Sequence, residues 1–194
     1  LANLMVYDKV APSFEINNAT TVVISSNNTG SNSSIQAGSR AKIGDNLSLL
    51  FKITDVGGIP GSDDENFTVS IGGVTEQVTL SDPAVDGNTT TYTASFNSIP
   101  DISAGVEVGG DINFSIAISD YAGNSALYGD DTLAADGGAN VIFDNTVPTI
   151  GTLTIASSTA KYNNTDYAKV GDQVTLSFTV TENDAILTGK PILK

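Results

Sequence analysis

Ile112-Asn-Phe-Ser-Ile-Ala-Ile-Ser119 alternates residue by residue: Ile112, Phe114, Ile116 and Ile118 fall on one face, Asn113, Ser115, Ala117 and Ser119 on the other. Period two with one apolar face is the signature of a half-buried antiparallel strand. The run ends in Asp120-Tyr-Ala-Gly-Asn124, where Gly and Asn tolerate the tight backbone of a turn. Outward from this point the same alternation recurs over residues 46–54, 66–71, 74–80, 90–96 and 139–143, all rich in Val, Ile, Thr, Phe and Tyr. Gly57-Gly58, Gly72-Gly73, Asp86-Gly-Asn88, Gly109-Gly110 and Gly137-Gly138 punctuate them. With residues 12–24 added, one unit holds about seven strands, and no helical stripe is visible. The expectation is an all-β chain of β-sandwich domains. An antibody-type domain would add a Cys-Trp-Cys signature, and this chain has neither residue.

A framework is written twice. Asp8-Lys-Val-Ala-Pro12 returns as Asp144-Asn-Thr-Val-Pro148, and Ala41-Lys-Ile-Gly-Asp45 as Ala168-Lys-Val-Gly-Asp172. Leu47-Ser-Leu-Leu-Phe51-Lys-Ile-Thr-Asp55 returns as Val174-Thr-Leu-Ser-Phe178-Thr-Val-Thr-Glu182. Asp8 and Asp144 lie 136 apart but Ala41 and Ala168 only 127, so the first copy carries nine extra residues, placed here in the Asn/Ser/Gly tract around 25–34. The register implies a tandem array: residues 1–8 as the last strand of a preceding domain, 9–144 as a complete domain, and 145–194 as the first part of a following one. That last part, with about two strands, is expected to leave an apolar face uncovered.

Composition excludes several function classes. The 194 residues contain no cysteine, histidine or tryptophan, so thiol chemistry, the usual zinc sites and a Ser-His triad are out. With 22 acids against 8 bases the net charge is −14, which repels nucleic acid and anionic membranes and attracts small cations. No apolar run approaches the ~20 residues that cross a bilayer, so no membrane insertion is expected in this segment. The acids are scattered over turns with no aromatic platform beside them, and Tyr92, Phe96, Phe114 and Phe143 read as core. No enzymatic activity is expected.

Ile118-Ser-Asp120-Tyr-Ala-Gly-Asn124, followed by Val141-Ile-Phe-Asp144-Asn-Thr-Val-Pro148, resembles the Ig-like repeats of prokaryotic cell-surface proteins. In that family a D-x-A-G-N turn closes the sixth strand. V-x-F-D-x-T-x-P forms the last strand and the linker, and A-K-x-G-D leads into the second strand. The resemblance implies tandem Ig-like sandwiches. Asn-x-Ser/Thr sequons occur at Asn18, Asn27, Asn32, Asn46, Asn66, Asn88, Asn113 and Asn163. Those in loops (Asn18, Asn27, Asn32, Asn66, Asn88 and Asn163) are candidate glycan carriers, which would place the chain outside the cell. An acidic, cysteine-free, sequon-rich Ig-like array is similar to archaeal surface-layer glycoproteins, particularly those of marine ammonia-oxidising archaea.

In related repeats, acids at domain junctions bind calcium and stiffen the linker. The resemblance then implies a site gathered from Asp120 and Asn124 on the turn, Asp144 on the linker, and Glu182 and Asp184 at the near end of the next domain. Asp8 and Asp55 repeat the logic at the first junction. Ca²⁺ takes six to eight oxygens of these kinds. The same residues also read as a plain tight turn and solvated acids, as do Asp63-Asp64-Glu65 and Asp130-Asp131. The expected function is structural: self-association into a two-dimensional lattice around the cell, with an acidic, cation-attracting surface. The alternative is the stalk of a calcium-stiffened bacterial adhesin.

Overall fold

The computed structural model describes residues 7–15, 22–29, 38–59, 67–75, 78–81, 83–103, 106, 109–129, 140–159, 163 and 167–182. The chain divides into two compact units, Leu1–Asn145 and Thr146–Lys194. Among the described residues every regular element is a strand. The first unit carries β1 (Ser13–Phe14), β2 (Val22–Ser26), β3 (Arg40–Ala41), β4 (Leu47–Thr54), β5 (Phe67–Ile71) and β6 (Val78–Leu80). It continues with β7 (Ala84–Asp86), β8 (Thr89–Phe96), β9 (Phe114–Ser119), β10 (Ser125–Gly129) and β11 (Ile142–Phe143).

These segments form a six-stranded sheet around β4 and β8 and a three-stranded sheet in the order β10-β9-β5. β1 and β2 both pair antiparallel with the same strand, Phe14 opposite Ile53 and Val22 opposite Phe51. β6 and β7 both pair with β8, Leu80 opposite Ala94 and Ala84 opposite Thr91. Each edge is therefore one line of pairing in two pieces, so the eleven strands described in this unit form nine lines where the sequence suggested about seven; β3 and β10 are the two it did not mark. One pair departs from the antiparallel rule: β11 runs parallel to β3, Phe143 beside Ala41.

Alternation explains why these segments are strands. Along β4, Leu47, Leu49, Phe51 and Ile53 are buried while the residues between them are half-buried. β8 buries Tyr92, Ala94 and Phe96 in the same phase, and β9 buries Phe114, Ile116 and Ile118. The two sheets share one hydrophobic core. Phe67 of the smaller sheet packs at 5.9 Å from Phe51 and 4.9 Å from Tyr92 of the larger, and those two stack at 5.5 Å.

Ahead of β4 a carboxylate clasps its own turn. Asp45 accepts from the Lys42 amide at 2.9 Å, the Lys42 ammonium at 3.2 Å and the Asn28 side-chain amide at 2.8 Å. Burial pushes the Asp45 carboxyl up, but these donors outweigh it and hold it below the ordinary carboxylate range. A carboxyl lowered on folding adds stability that is complete above its unfolded pKa of about 4 and is lost as pH falls through the folded value. Asp45→Asn should cost about 1.5–3 kcal/mol at pH 7, the range for bonds to a charged group. The gap to wild type should shrink below about pH 4; denaturant melts at pH 7 and pH 3 check it.

The second unit carries β12 (Thr149–Ile150), β13 (Thr154–Ser157), β14 (Val174–Ser177) and β15 (Val180–Thr181). β12 pairs antiparallel with β15, Thr149 opposite Thr181, and β13 with β14, Ser157 opposite Val174. Asp172 accepts from the Lys169 amide and ammonium and from the Thr159 hydroxyl. Ile150, Leu153, Ile155 and Val174 are all exposed, and none of the buried core residues described belongs to this unit.

Candidate metal centre

The inward phase of two strands ends in an aspartate. Leu47, Leu49, Phe51 and Ile53 lead in steps of two to Asp55; Phe114, Ile116 and Ile118 lead likewise to Asp120. Both carboxylates are thus carried onto the core side, one from each sheet, and only 6 % of Asp55 and 4 % of Asp120 is exposed. Asp8, on the segment ahead of β1, joins them. The three present carboxylate oxygens all within 4.8 Å of one another.

The three are held differently. Asp120 is tied into its own turn: Oδ1 accepts from the amides of Ala122 and Asn124 at 2.8 Å each, and Oδ2 from the Asn124 side-chain amide at 2.7 Å. Gly123 makes this turn possible with a φ of 88°, a left-handed value that glycine adopts without strain. Burial pushes the Asp120 carboxyl up, and the hydrogen bonds from Asn124, Ala122 and Gly123 outweigh it to hold the carboxyl below its usual value. Asp8 Oδ1 accepts from the Val10 amide at 2.9 Å. Asp8 Oδ2 and both oxygens of Asp55 are buried and find no hydrogen-bond partner among the described residues.

That arrangement is costly without a counterion. Two like charges 4 Å apart repel by ~4 kcal/mol at an effective dielectric of 20, and a buried carboxylate lacking donors forfeits its hydration besides. Among the described residues no lysine or arginine forms a salt bridge to the cluster; those present join Lys42 to Asp45 and Lys169 to Asp172. The donors are hard oxygens, the set that takes Ca²⁺, Mg²⁺ or Mn²⁺. Asp8, Asp55 and Asp120 form a buried cluster that could hold a metal ion.

The residues expected to act together are sorted differently by the fold. Asp8 and Asp55 meet, as the first-junction expectation has it. Asp120, expected beside Asp144, instead completes their cluster. Asp144 lies at the other end of the same unit, where its amide donates to the Ala41 carbonyl at 2.8 Å. That end precedes β4, Asp55 follows it, and eight extended residues span roughly 26 Å. The physical reason is β10: it runs back along β9, Ser125 opposite Ser119 and Gly129 opposite Ser115, so the chain leaves the Asp120 end before reaching Asp144. Asn124 is a positioning residue, since its amide nitrogen donates to Asp120 and, at 3.4 Å, to the Val10 carbonyl. Glu182, in the second unit, accepts from the Thr146 hydroxyl at 2.7 Å. Asp184, Asp63-Asp64-Glu65, Asp130-Asp131 and the sequons at Asn18, Asn32 and Asn66 lie outside the described residues. Asn27, Asn88 and Asn163 are exposed.

No family model and no curated protein matches the chain. Among solved structures it is similar to a DUF4466 family protein from Parabacteroides merdae, with 14 % identity and a TM-score of 0.26 over 72 % of this chain and 49 % of that one. The chain thus spans about half the length of that protein, and the likeness is a distant one.

Proposed function

We propose that this chain is a structural cell-surface protein whose Ig-like sandwich units are clamped by calcium and associate laterally into an extracellular lattice. The observation that carries it is the placement of Asp8, Asp55 and Asp120. An ion there ties the segment ahead of the first strand to the ends of β4 and β9, and so to both sheets at once. Calcium suits the site because both Asp55 oxygens accept no hydrogen bond among the described residues, and Ca²⁺ accepts bidentate carboxylates and irregular oxygen cages. Extracellular calcium modules bind at a Kd of ~10⁻⁴–10⁻³ M, within reach of the calcium in seawater or host fluids.

Repetition of the unit is supported by matching registers. Ser13 opposes Thr54 as Thr149 opposes Thr181, and Ser26 opposes Leu47 as Ser157 opposes Val174. The offsets between copies are 136 at Ser13, 131 at Ser26 and 127 at Ala41. The nine-residue surplus accordingly falls as five residues between β1 and β2 and four between β2 and β3, rather than wholly around 25–34. The same clasp serves Asp45 and Asp172. Divergent copies sharing only a framework suit a lattice, in which each unit meets different neighbours. A net charge of −14 would favour small cations in narrow pores, within the roughly 3–8 Å over which salt leaves the field unscreened. The exposed sequons Asn27, Asn88 and Asn163, together with Asn46 and Asn113, which lie just ahead of β4 and β9 rather than within them, are the described positions open to glycans.

Electron microscopy of the full-length protein tests this reading. Two-dimensional sheets that form with calcium and dissolve on chelation are the expected result. Isolated rods, rigid with calcium and flexible without it, would replace the lattice with an adhesin stalk.

A further inference from the structure

Beside the three aspartates the chain has a position with no side chain. A Cβ built on Gly57 would fall 1.6 Å from Asp8 Oδ2, 2.8 Å from its Cγ and 3.3 Å from Asp55 Oδ2. Gly57 is not among the glycines with positive φ, so its backbone does not demand glycine. The demand is for space: the Asp8 carboxylate fills the volume that a methyl group would take.

That packing bears on which ion the site accepts. Asp8 Oδ2 and both Asp55 oxygens are buried and accept no hydrogen bond among the described residues. The Asp120 oxygens are covered by donors from Ala122 and Asn124. With Asp8 lodged against Gly57, an ion at the cluster meets protein oxygens on three sides and must shed most of its water. Ca²⁺ does so readily and tolerates irregular geometry; Mg²⁺ dehydrates reluctantly and requires a near-ideal octahedron at about 2.0–2.1 Å.

We propose that Gly57 sets the cation selectivity of this centre: by seating Asp8 as a direct, water-free ligand, it makes the site favour Ca²⁺ over Mg²⁺. The proposal rests on the calcium reading above and adds the residue that decides it. Gly57 acts through Asp8 and is a positioning residue. Replacing it with alanine would evict Asp8 and leave a two-carboxylate, hydrated site at which the two ions compete on similar terms.

The test is displacement of Tb³⁺ from the full chain, read by luminescence sensitised through Tyr121, the neighbour of Asp120. Wild type, Gly57→Ala, Asp8→Asn and the double variant are each titrated with Ca²⁺ and with Mg²⁺. Wild type should release Tb³⁺ at a Ca²⁺ concentration at least ~10-fold below the Mg²⁺ concentration required. Gly57→Ala should weaken Ca²⁺ by about 10–100-fold, the size of effect seen when a ligand's support is removed, and leave Mg²⁺ little changed. The double variant should match Gly57→Ala, because once the side chain at position 8 is displaced its identity no longer matters and the two effects cannot add. Equal displacement of wild type by both ions overturns the selectivity, and does so even if Gly57→Ala fails to fold. Additive losses in the double variant overturn the route through Asp8. If wild type binds neither ion nor Tb³⁺, the calcium reading itself falls, and the proposal with it.

Discussion

Asp55→Asn should reverse the order of stabilities between calcium and chelator. In chelator the variant is expected to be as stable as wild type or more so, because it removes one of three carboxylates that bring oxygens within 4.8 Å of one another. Neither Asp55 oxygen accepts a hydrogen bond among the described residues, so the substitution breaks no described contact of the carboxylate. With calcium the order inverts. An ion that binds only the folded state adds RT ln(1 + [L]/Kd), about 2.7 kcal/mol at a hundredfold excess over Kd. Wild type should gain about that much in 10 mM calcium if Kd is ~10⁻⁴ M, and the variant little. Thermal melts of both proteins in calcium and in chelator decide it. An Asp55 that served only the apo fold would leave the variant less stable in both conditions.

Phe51→Ala should cost about 3–5 kcal/mol, the usual range for truncating a buried aromatic ring. Phe51 is fully buried, and its ring meets Tyr92 at 5.5 Å and Phe67 at 5.9 Å. It therefore joins neighbours within one sheet and across to the other, and such pairs add about 0.5–1.5 kcal/mol beyond area alone. Against a total stability of about 5–15 kcal/mol the loss removes a large share of the fold's margin. Urea unfolding measures it. Leu127→Ala is the control: that side chain is 76 % exposed, and its loss should stay within about 0.5 kcal/mol.

Much of the fold is legible in the sequence where alternation is clean. The lines of β4, β5, β8 and β9 follow from apolar residues in steps of two, and the structure moves their ends by only a few residues. β10 is not legible. Ser125-Ala-Leu-Tyr-Gly129 puts Leu127 outward and Ala126 inward, so apolar residues sit on both faces and no period-two signal survives. Asp120, which the family resemblance grouped with Asp144, is separated from it because β10 turns the chain back along β9. β3 and β7 are too short to carry a pattern, and the parallel pairing of β3 with β11 joins residues about a hundred positions apart, Arg40 and Ile142. The metal cluster had a signal that sequence reading passed over. Leu47, Leu49, Phe51 and Ile53 continue in phase to Asp55, and Phe114, Ile116 and Ile118 to Asp120. An aspartate that continues an inward series is destined for burial, and burial of an unpaired acid asks for a cation. Gly57 gave no such warning, since its role is to leave room for a residue far away in the chain.

Diffraction from crystals grown in calcium, with an anomalous difference map, tests the central assignment most directly. The predicted result is a peak between Asp8, Asp55 and Asp120, with oxygens of all three at about 2.3–2.6 Å. A map with no peak there, or one in which the Asp8 carboxylate turns away from Asp55 and Asp120 in saturating calcium, would contradict it.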